Sequence, residues 1–177
     1  MIDKRGGTTL GIVVGIVIVL LIISGIFVYY FFGGNGENFN FRELRNPTEG
    51  LSDEQALLDF DEGFVEYLLY SIGAGNLRNK PLSKDTPKLE IYIGDVSYMA
   101  EVIEGVVNVE VGEFSDEDVI IRAPKMVAIK MIRDRNYIFE SFSSGESSVE
   151  LISEKVELAG KGYLGIYSEL TGEEVGE

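Results

Sequence analysis

Residues 88–111 read Lys88-Leu89-Glu90-Ile91-Tyr92-Ile93-Gly94-Asp95-Val96-Ser97-Tyr98-Met99-Ala100-Glu101-Val102-Ile103-Glu104-Gly105-Val106-Val107-Asn108-Val109-Glu110-Val111. Leu89, Ile91 and Ile93 fall on alternate positions, the period of a strand with one buried face. Gly94-Asp95 is a tight-turn signal. Val96, Tyr98, Ala100 and Val102 then alternate with Ser97, Met99, Glu101 and Ile103, which predicts a second strand. Glu104-Gly105 is a hairpin signal, and Val107, Val109 and Val111 form the apolar face of a third strand. Three strands joined by two short turns make an antiparallel meander.

Downstream, a polar loop Ser115-Asp116-Glu117-Asp118 precedes Val119-Ile120-Ile121, a short buried strand. Pro124 suits the first turn of a helix. Met126, Val127, Ile129, Met131 and Ile132 recur at helical spacing, and Tyr137, Ile138, Phe139 and Phe142 form a second short apolar helix. Ser148 to Ile152 returns as a strand. Ser153 is the expected N-cap of a last helix over 154–171, with Val156, Ala159, Tyr163, Tyr167 and Leu170 as its buried stripe. Gly160, Gly162 and Gly165 inside it predict close packing against a neighbour or a ligand lying near the backbone, because glycine in a helix costs ~1 kcal/mol relative to alanine.

Upstream, Ser52 and Gln55 form a capping box with Asp53 and Glu54 in the first turn. Leu57, Leu58, Phe60, Phe64, Val65, Leu68, Leu69 and Ile72 predict one amphipathic helix over 52–72, stopped by Gly73 and Gly75. Its acidic polar face suits packing on its own domain, not on a membrane surface.

At the N-terminus, Leu10 to Phe32 runs 23 residues without a charge. As a helix it would be about 34 Å long at ~1.5 Å per residue, enough for a hydrocarbon core of ~30 Å. Tyr29 and Tyr30 sit where an interfacial aromatic belt belongs. The expectation is one transmembrane helix over 10–32, a tail over 1–9, a flexible linker over 33–50 and a soluble domain over 51–177. Lys4 and Arg5 bias the N-terminus to the cytoplasm and the domain to the far side. The apolar run is longer than the ~7–15 residues of a cleavable signal peptide. Gly11 and Gly15 form a G-x-x-x-G pair that allows homodimerisation through the span.

Net charge is −15, and since Asp3, Lys4 and Arg5 sum to +1, the remainder carries −16. That repels nucleic acid and anionic lipid surfaces. With no Cys and no His, disulfides, thiolate zinc sites and imidazole or thiol catalysis are excluded. Asp59 with Asp61, and Asp116 with Asp118, read as solvated acids, so catalysis is not expected and no cofactor or metal is implied.

The order of elements resembles the sterol carrier protein type 2 (non-specific lipid-transfer) family over about residues 52–172. Three stretches carry it: Ile91 to Val111 with its Glu104-Gly105 turn; Asp118-Val119-Ile120-Ile121-Arg122-Ala123-Pro124; and Phe142-Ser143-Ser144-Gly145 with Val149-Glu150-Leu151. Glu146 and Ser153 depart from the family's usual basic residue and glycine. The resemblance implies an α+β fold, a five-stranded mixed sheet covered by helices, with an apolar tunnel for sterols, acyl chains or other lipids and no chemistry on the ligand. Met126, Ile129, Ile132, Phe139, Phe142, Val156, Tyr163, Leu164 and Tyr167 are the candidate ligand-binding residues, since methionine and aromatics suit an adaptable apolar pocket. Two other readings stand beside it: an extracytoplasmic interaction or assembly subunit without a tunnel, and a pilin-like subunit. Lys4-Arg5-Gly6-Gly7 before the apolar run resembles the leader of type IV pilin-like precursors, cut after the glycine.

Overall fold

The computed structural model describes residues 44–80 and 83–173, all within one compact unit, Arg42–Glu177. The transmembrane span at 10–32, the Gly11–Gly15 dimer motif and the Gly6-Gly7 leader lie outside the described residues. Among the described residues, no helix is long and apolar enough to cross a membrane.

The meander forms as the alternation predicts: β1 Lys88–Ile93, β2 Val96–Ile103 and β3 Val106–Val111. Glu104 (φ 52°) and Gly105 (φ 80°) both take the left-handed conformation that a two-residue hairpin turn requires. β4 (Val119–Ala123) pairs parallel to β1, and β5 (Ser148–Leu151) antiparallel to β4. The sheet is mixed, with order β3-β2-β1-β4-β5. Its register stacks Tyr98, Ile91, Ile121 and Val149 across four strands on one face. That face joins the helices in a single hydrophobic core. The opposite face carries Met99, Glu101, Asn108, Glu110, Arg122 and Glu150.

The helices are α1 Asp53–Leu58, α2 Glu62–Ser71, α3 Lys125–Arg133, α4 Asn136–Ser143, α5 Lys155–Lys161 and α6 Tyr163–Thr171, with a 3-10 turn at Ala74–Asn76. The Ser52/Gln55 capping box is present in full. Two expected helices are each broken in two. The first stops at Leu58 because Asp61 starts a new helix: its Oδ1 accepts from the Gly63 and Phe64 N–H groups at 2.9 and 3.3 Å. Leu58, expected on the buried stripe, is 84 % exposed. The last helix breaks at Gly162, whose φ of +94° caps α5 and precedes α6. Ser153 does not cap it; Glu154 holds the N-cap position without a side-chain cap, and the Ser153 hydroxyl donates to Asp118 Oδ1 at 2.9 Å. Pro124 lies at the N-cap of α3, one residue ahead of its first turn.

Gly162 and Gly165 should therefore respond in opposite directions. Gly162→Ala forces a side chain into left-handed backbone and is expected to lose about 1–2 kcal/mol. Gly165 sits within α6 with open space where a Cβ would go, so Gly165→Ala should gain about 0.5–1 kcal/mol. Urea midpoints of the two variants check this, and equal signs would contradict the helix break.

Residues 44–50, expected to be tether, are tied to the domain. Asn46 Nδ2 donates to the Ile132 carbonyl at 3.1 Å, and the adjoining Leu51 carbonyl accepts from Arg133 at 2.9 Å.

Candidate functional site

Three features remain once the ordinary core is set aside: an apolar seam, a polar cleft and a buried ionic knot. The seam lies between the sheet and α2, α3 and α4. Val65, Leu68 and Leu69 come from α2 and Ile72 from its C-cap, Ile91 from β1, Ile121 and Ala123 from β4, Met131 from α3 and Phe142 from α4. No polar atom lines it, and its free volume is about 10 Å³. That is the space of one small probe sphere, while a ligand pocket has ~300–1,000 Å³. The seam is closed by side chains in mutual contact, with half-buried Phe142 at its margin.

The cleft, about 460 Å³, is wide and open. It sits at the C-terminal ends of the parallel strands β1 and β4, where α3 begins. Tyr92, Gly94, Asp95, Arg122, Ala123, Pro124 and residues 145–148 form its walls. Arg122 lies 5.2 Å from the Tyr92 ring centroid and is paired with Glu150 at 3.0 Å. The Tyr92 hydroxyl donates to buried Glu90, which holds the phenol at about 12. Ser147 also lines the cleft, yet its Oγ is buried and without a partner.

The knot stands at the other end of the parallel pair, at the start of β1 and β4. Asp118 and Lys161 are each 1 % exposed. Asp118 accepts from Lys161 Nζ (2.8 and 3.0 Å), the Lys88 N–H (2.8 Å) and the Ser153 hydroxyl, while the Tyr163 hydroxyl lies 3.1 Å away. Lys161 also pairs with Asp85 at 2.8 Å and Glu157 at 3.3 Å. Lys161 is the one cation among three carboxylates, of which Asp85 and Glu157 reach solvent while Asp118 is buried with it, an arrangement that ties these segments together.

Burial works to lower the Lys161 pKa, but its bonds to Asp118 and Asp85 outweigh that and leave it raised. Burial, helped by the Asp118 charge, raises Tyr163 strongly. Both groups have folded-state values above their unfolded ones, so their contribution is complete below about pH 10 and is lost as pH rises further. The urea midpoint should therefore hold steady to about pH 9 and fall above pH 10. In Tyr163→Phe the fall should be shallower; an unchanged slope would remove Tyr163 from the account.

The nine nominated residues scatter. Phe142 lines the seam. Ile129 and Ile132 are buried in the core, and Met126 and Leu164 are half-buried. Tyr163 is buried with its hydroxyl in the knot, and half-buried Tyr167 reaches Glu173 at 3.4 Å. Phe139 and Val156 are 52 % and 78 % exposed. Val156 was expected on a buried stripe, but the break at Gly162 sets the register of α5 so that Leu158 and Lys161 point inward. The residues that reasoning missed are those of α2 and the sheet. Their signal was present, since Val65, Leu68, Leu69 and Ile72 recur at helical spacing. Among the described residues, no group of three His, Cys, Asp or Glu side chains is placed to hold a metal ion.

No protein-family model matches the chain, and no curated protein matches it. Solved structures do. The ubiquinone synthesis protein UbiJ-SCP2 is similar at 22 % identity and a TM-score of 0.34, covering 61 % of this chain and 90 % of that one. Sterol carrier protein 2 like 2 from Aedes aegypti is similar at 19 % identity and a TM-score of 0.34, covering 56 % and 90 %. The stereoselective inverting sec-alkylsulfatase Pisa1 from Pseudomonas sp. is similar at 15 % identity and a TM-score of 0.34, covering 54 % of this chain and only 14 % of the sulfatase.

Proposed function

We propose that this chain is a membrane-tethered, non-catalytic module that binds a lipid or other hydrophobic ligand between its sheet and its helices. The observation that carries the reading is the seam: nine apolar side chains from five elements meet there without a polar atom. The element order that resembles the sterol carrier family points the same way, and the uncharged run at 10–32 supports the tether, with the domain on the extracytoplasmic side. At about 10 Å³ the seam must open for a ligand to enter, with Phe142 and Met131 as the movable walls. Met131 suits that role because an unbranched thioether repacks readily.

The test is a titration of the full chain with diphenylhexatriene, an uncharged rod-shaped fluorophore, beside the variant Ala123→Phe, which fills the seam. Saturable uptake near one to one, absent in the variant, is the expected result. Equal uptake by both would assign the dye to the apolar N-terminal segment and retire the reading.

One observation favours a second reading. The closed seam is also what a scaffold without a tunnel would show, and such a protein would serve as an interaction or assembly subunit. It predicts no difference between the two proteins.

A further inference from the structure

Strand β3 ends the sheet and pairs only with β2. Its backbone groups alternate between its two sides. Just past the strand, the Gly112 N–H turns inward and donates to the Ser97 carbonyl of β2 at 3.1 Å. The Val107 N–H turns outward, where the Tyr70 hydroxyl accepts it at 3.0 Å. By that alternation the N–H and C=O groups of Val109 and Val111 also face outward. Among the described residues, no hydrogen bond meets their N–H groups on that side. An edge in this state takes up a further strand unless something blocks it. The block here is partial: Tyr70 closes the edge at Val107, and β3 carries neither proline nor lysine. Val111 is 58 % exposed although its partner in the register, Tyr98, belongs to the core face.

Charge decides what the incoming strand must be. Residues 89–121 hold nine acidic residues and no lysine or arginine. Helix α2, which packs against β3, adds Glu62 and Glu66 and again no cation. On the outer sheet face, Glu110 has no partner among the described residues. It shares with Glu101 a groove of about 120 Å³ walled by Met99, Asn108 and Phe114. A small-molecule ligand needs ~300–1,000 Å³, so the groove suits one long side chain. Met99 and Phe114 fit an aliphatic stem, and the two carboxylates fit a cationic end. Lys88, opposite Glu101 in the register, does not supply that end, because its Nζ is paired with Asp116. A second copy of this chain would bring the same acids to the edge and be repelled.

We propose that the open edge of β3 at Val109 and Val111 docks an extended segment of another polypeptide as a further strand, with a lysine or arginine of that segment seated in the groove beside Glu101 and Glu110. The groove shares no residue with the seam, so this inference stands apart from the ligand reading.

Fluorescence anisotropy of the full chain in detergent micelles tests it, with a fluorescein-labelled peptide of four Lys-Val repeats as the probe. Two controls accompany it: four Glu-Val repeats, and the Lys-Val peptide methylated at every backbone nitrogen, which keeps the charge and removes strand pairing. The expected result is saturable one-to-one binding of the Lys-Val peptide and none of the Glu-Val peptide. The methylated peptide should bind about tenfold more weakly, the loss of ~1–2 net backbone hydrogen bonds. Glu110→Gln should weaken Lys-Val binding about fivefold, the size of one opposite-charge contact at ~4 Å in water-like surroundings. Glu110 is exposed, and an unchanged urea midpoint shows that this variant is folded. Equal binding of the plain and methylated peptides would reduce the effect to bulk charge attraction and overturn the docked strand. Binding that Glu110→Gln leaves intact would overturn the groove. A concentration-dependent dimer of the full chain that the Lys-Val peptide does not disperse, read by sedimentation, would assign the edge to a second copy and overturn the proposal.

Discussion

Asp118→Ala is expected to cost the domain about 3–5 kcal/mol, the loss that follows when one partner of a buried ion pair is removed. The reason is less the bond lost than the charge left behind. Lys161 is 1 % exposed and would keep only Asp85 and Glu157, both partly in solvent. The Lys88 N–H and the Ser153 hydroxyl would lose their acceptor at the same time. The damage is spread because the knot joins the starts of β1 and β4, the end of α5 and the segment before β1. A further tie runs from the Arg78 N–H to the Lys161 carbonyl at 3.1 Å. Replacing both charges, as Asp118→Leu with Lys161→Met, should cost clearly less than the sum of the two single changes, since no charge is then buried alone. Urea denaturation of the four proteins supplies the cycle. Additive losses would mean that the pair is not coupled. By contrast, Arg45–Glu49, exposed on both sides, should be worth about 0–1 kcal/mol.

Ile91→Ala should cost about 2–5 kcal/mol, the range for emptying a fully packed aliphatic site. Ile91 is 1 % exposed, lies on central strand β1 between Tyr98 and Ile121, and lines the seam. The same change enlarges the seam by the volume removed. If the seam is a ligand site, the variant should lose stability and yet bind diphenylhexatriene more tightly or faster, with Ala123→Phe moving the opposite way. If the domain is a solid scaffold, the variant should lose stability alone. Denaturation midpoints and dye titrations on the same samples separate the two, and an unchanged midpoint would show that the core relaxes around the gap.

The meander was legible residue by residue because a period of two is a local property: Leu89, Ile91 and Ile93 need no partner to declare a face. The Ser52 capping box was legible for the same reason. The helix breaks were less so. Asp61 reads equally well as a helical surface residue or as a cap, and what decides is whether its carboxylate finds the Gly63 and Phe64 N–H groups. Gly162 reads as a packing glycine until its backbone is seen to be left-handed. The candidate site was only partly legible. Apolar residues of the last four helices are visible in the sequence, but which of them face the sheet depends on helix register across each break. Val156 and Phe139 stand at the surface, while Val65, Leu68 and Ile72 line the seam.

The sequence by itself determined the strands, the first hairpin turns, the absence of thiol and imidazole chemistry, the acidity, and an uncharged run long enough to span a bilayer. These follow from local periodicity and composition, which each segment carries alone. Only the tertiary structure decided that β4 lies parallel beside β1, that Asp118 is not a solvated acid but the centre of a buried knot, and that Ala123 stands between a closed apolar seam and an open polar cleft. Those facts depend on residues dozens of positions apart, such as Asp118 and Lys161, and the free energy that joins them exists only once the chain has brought them together.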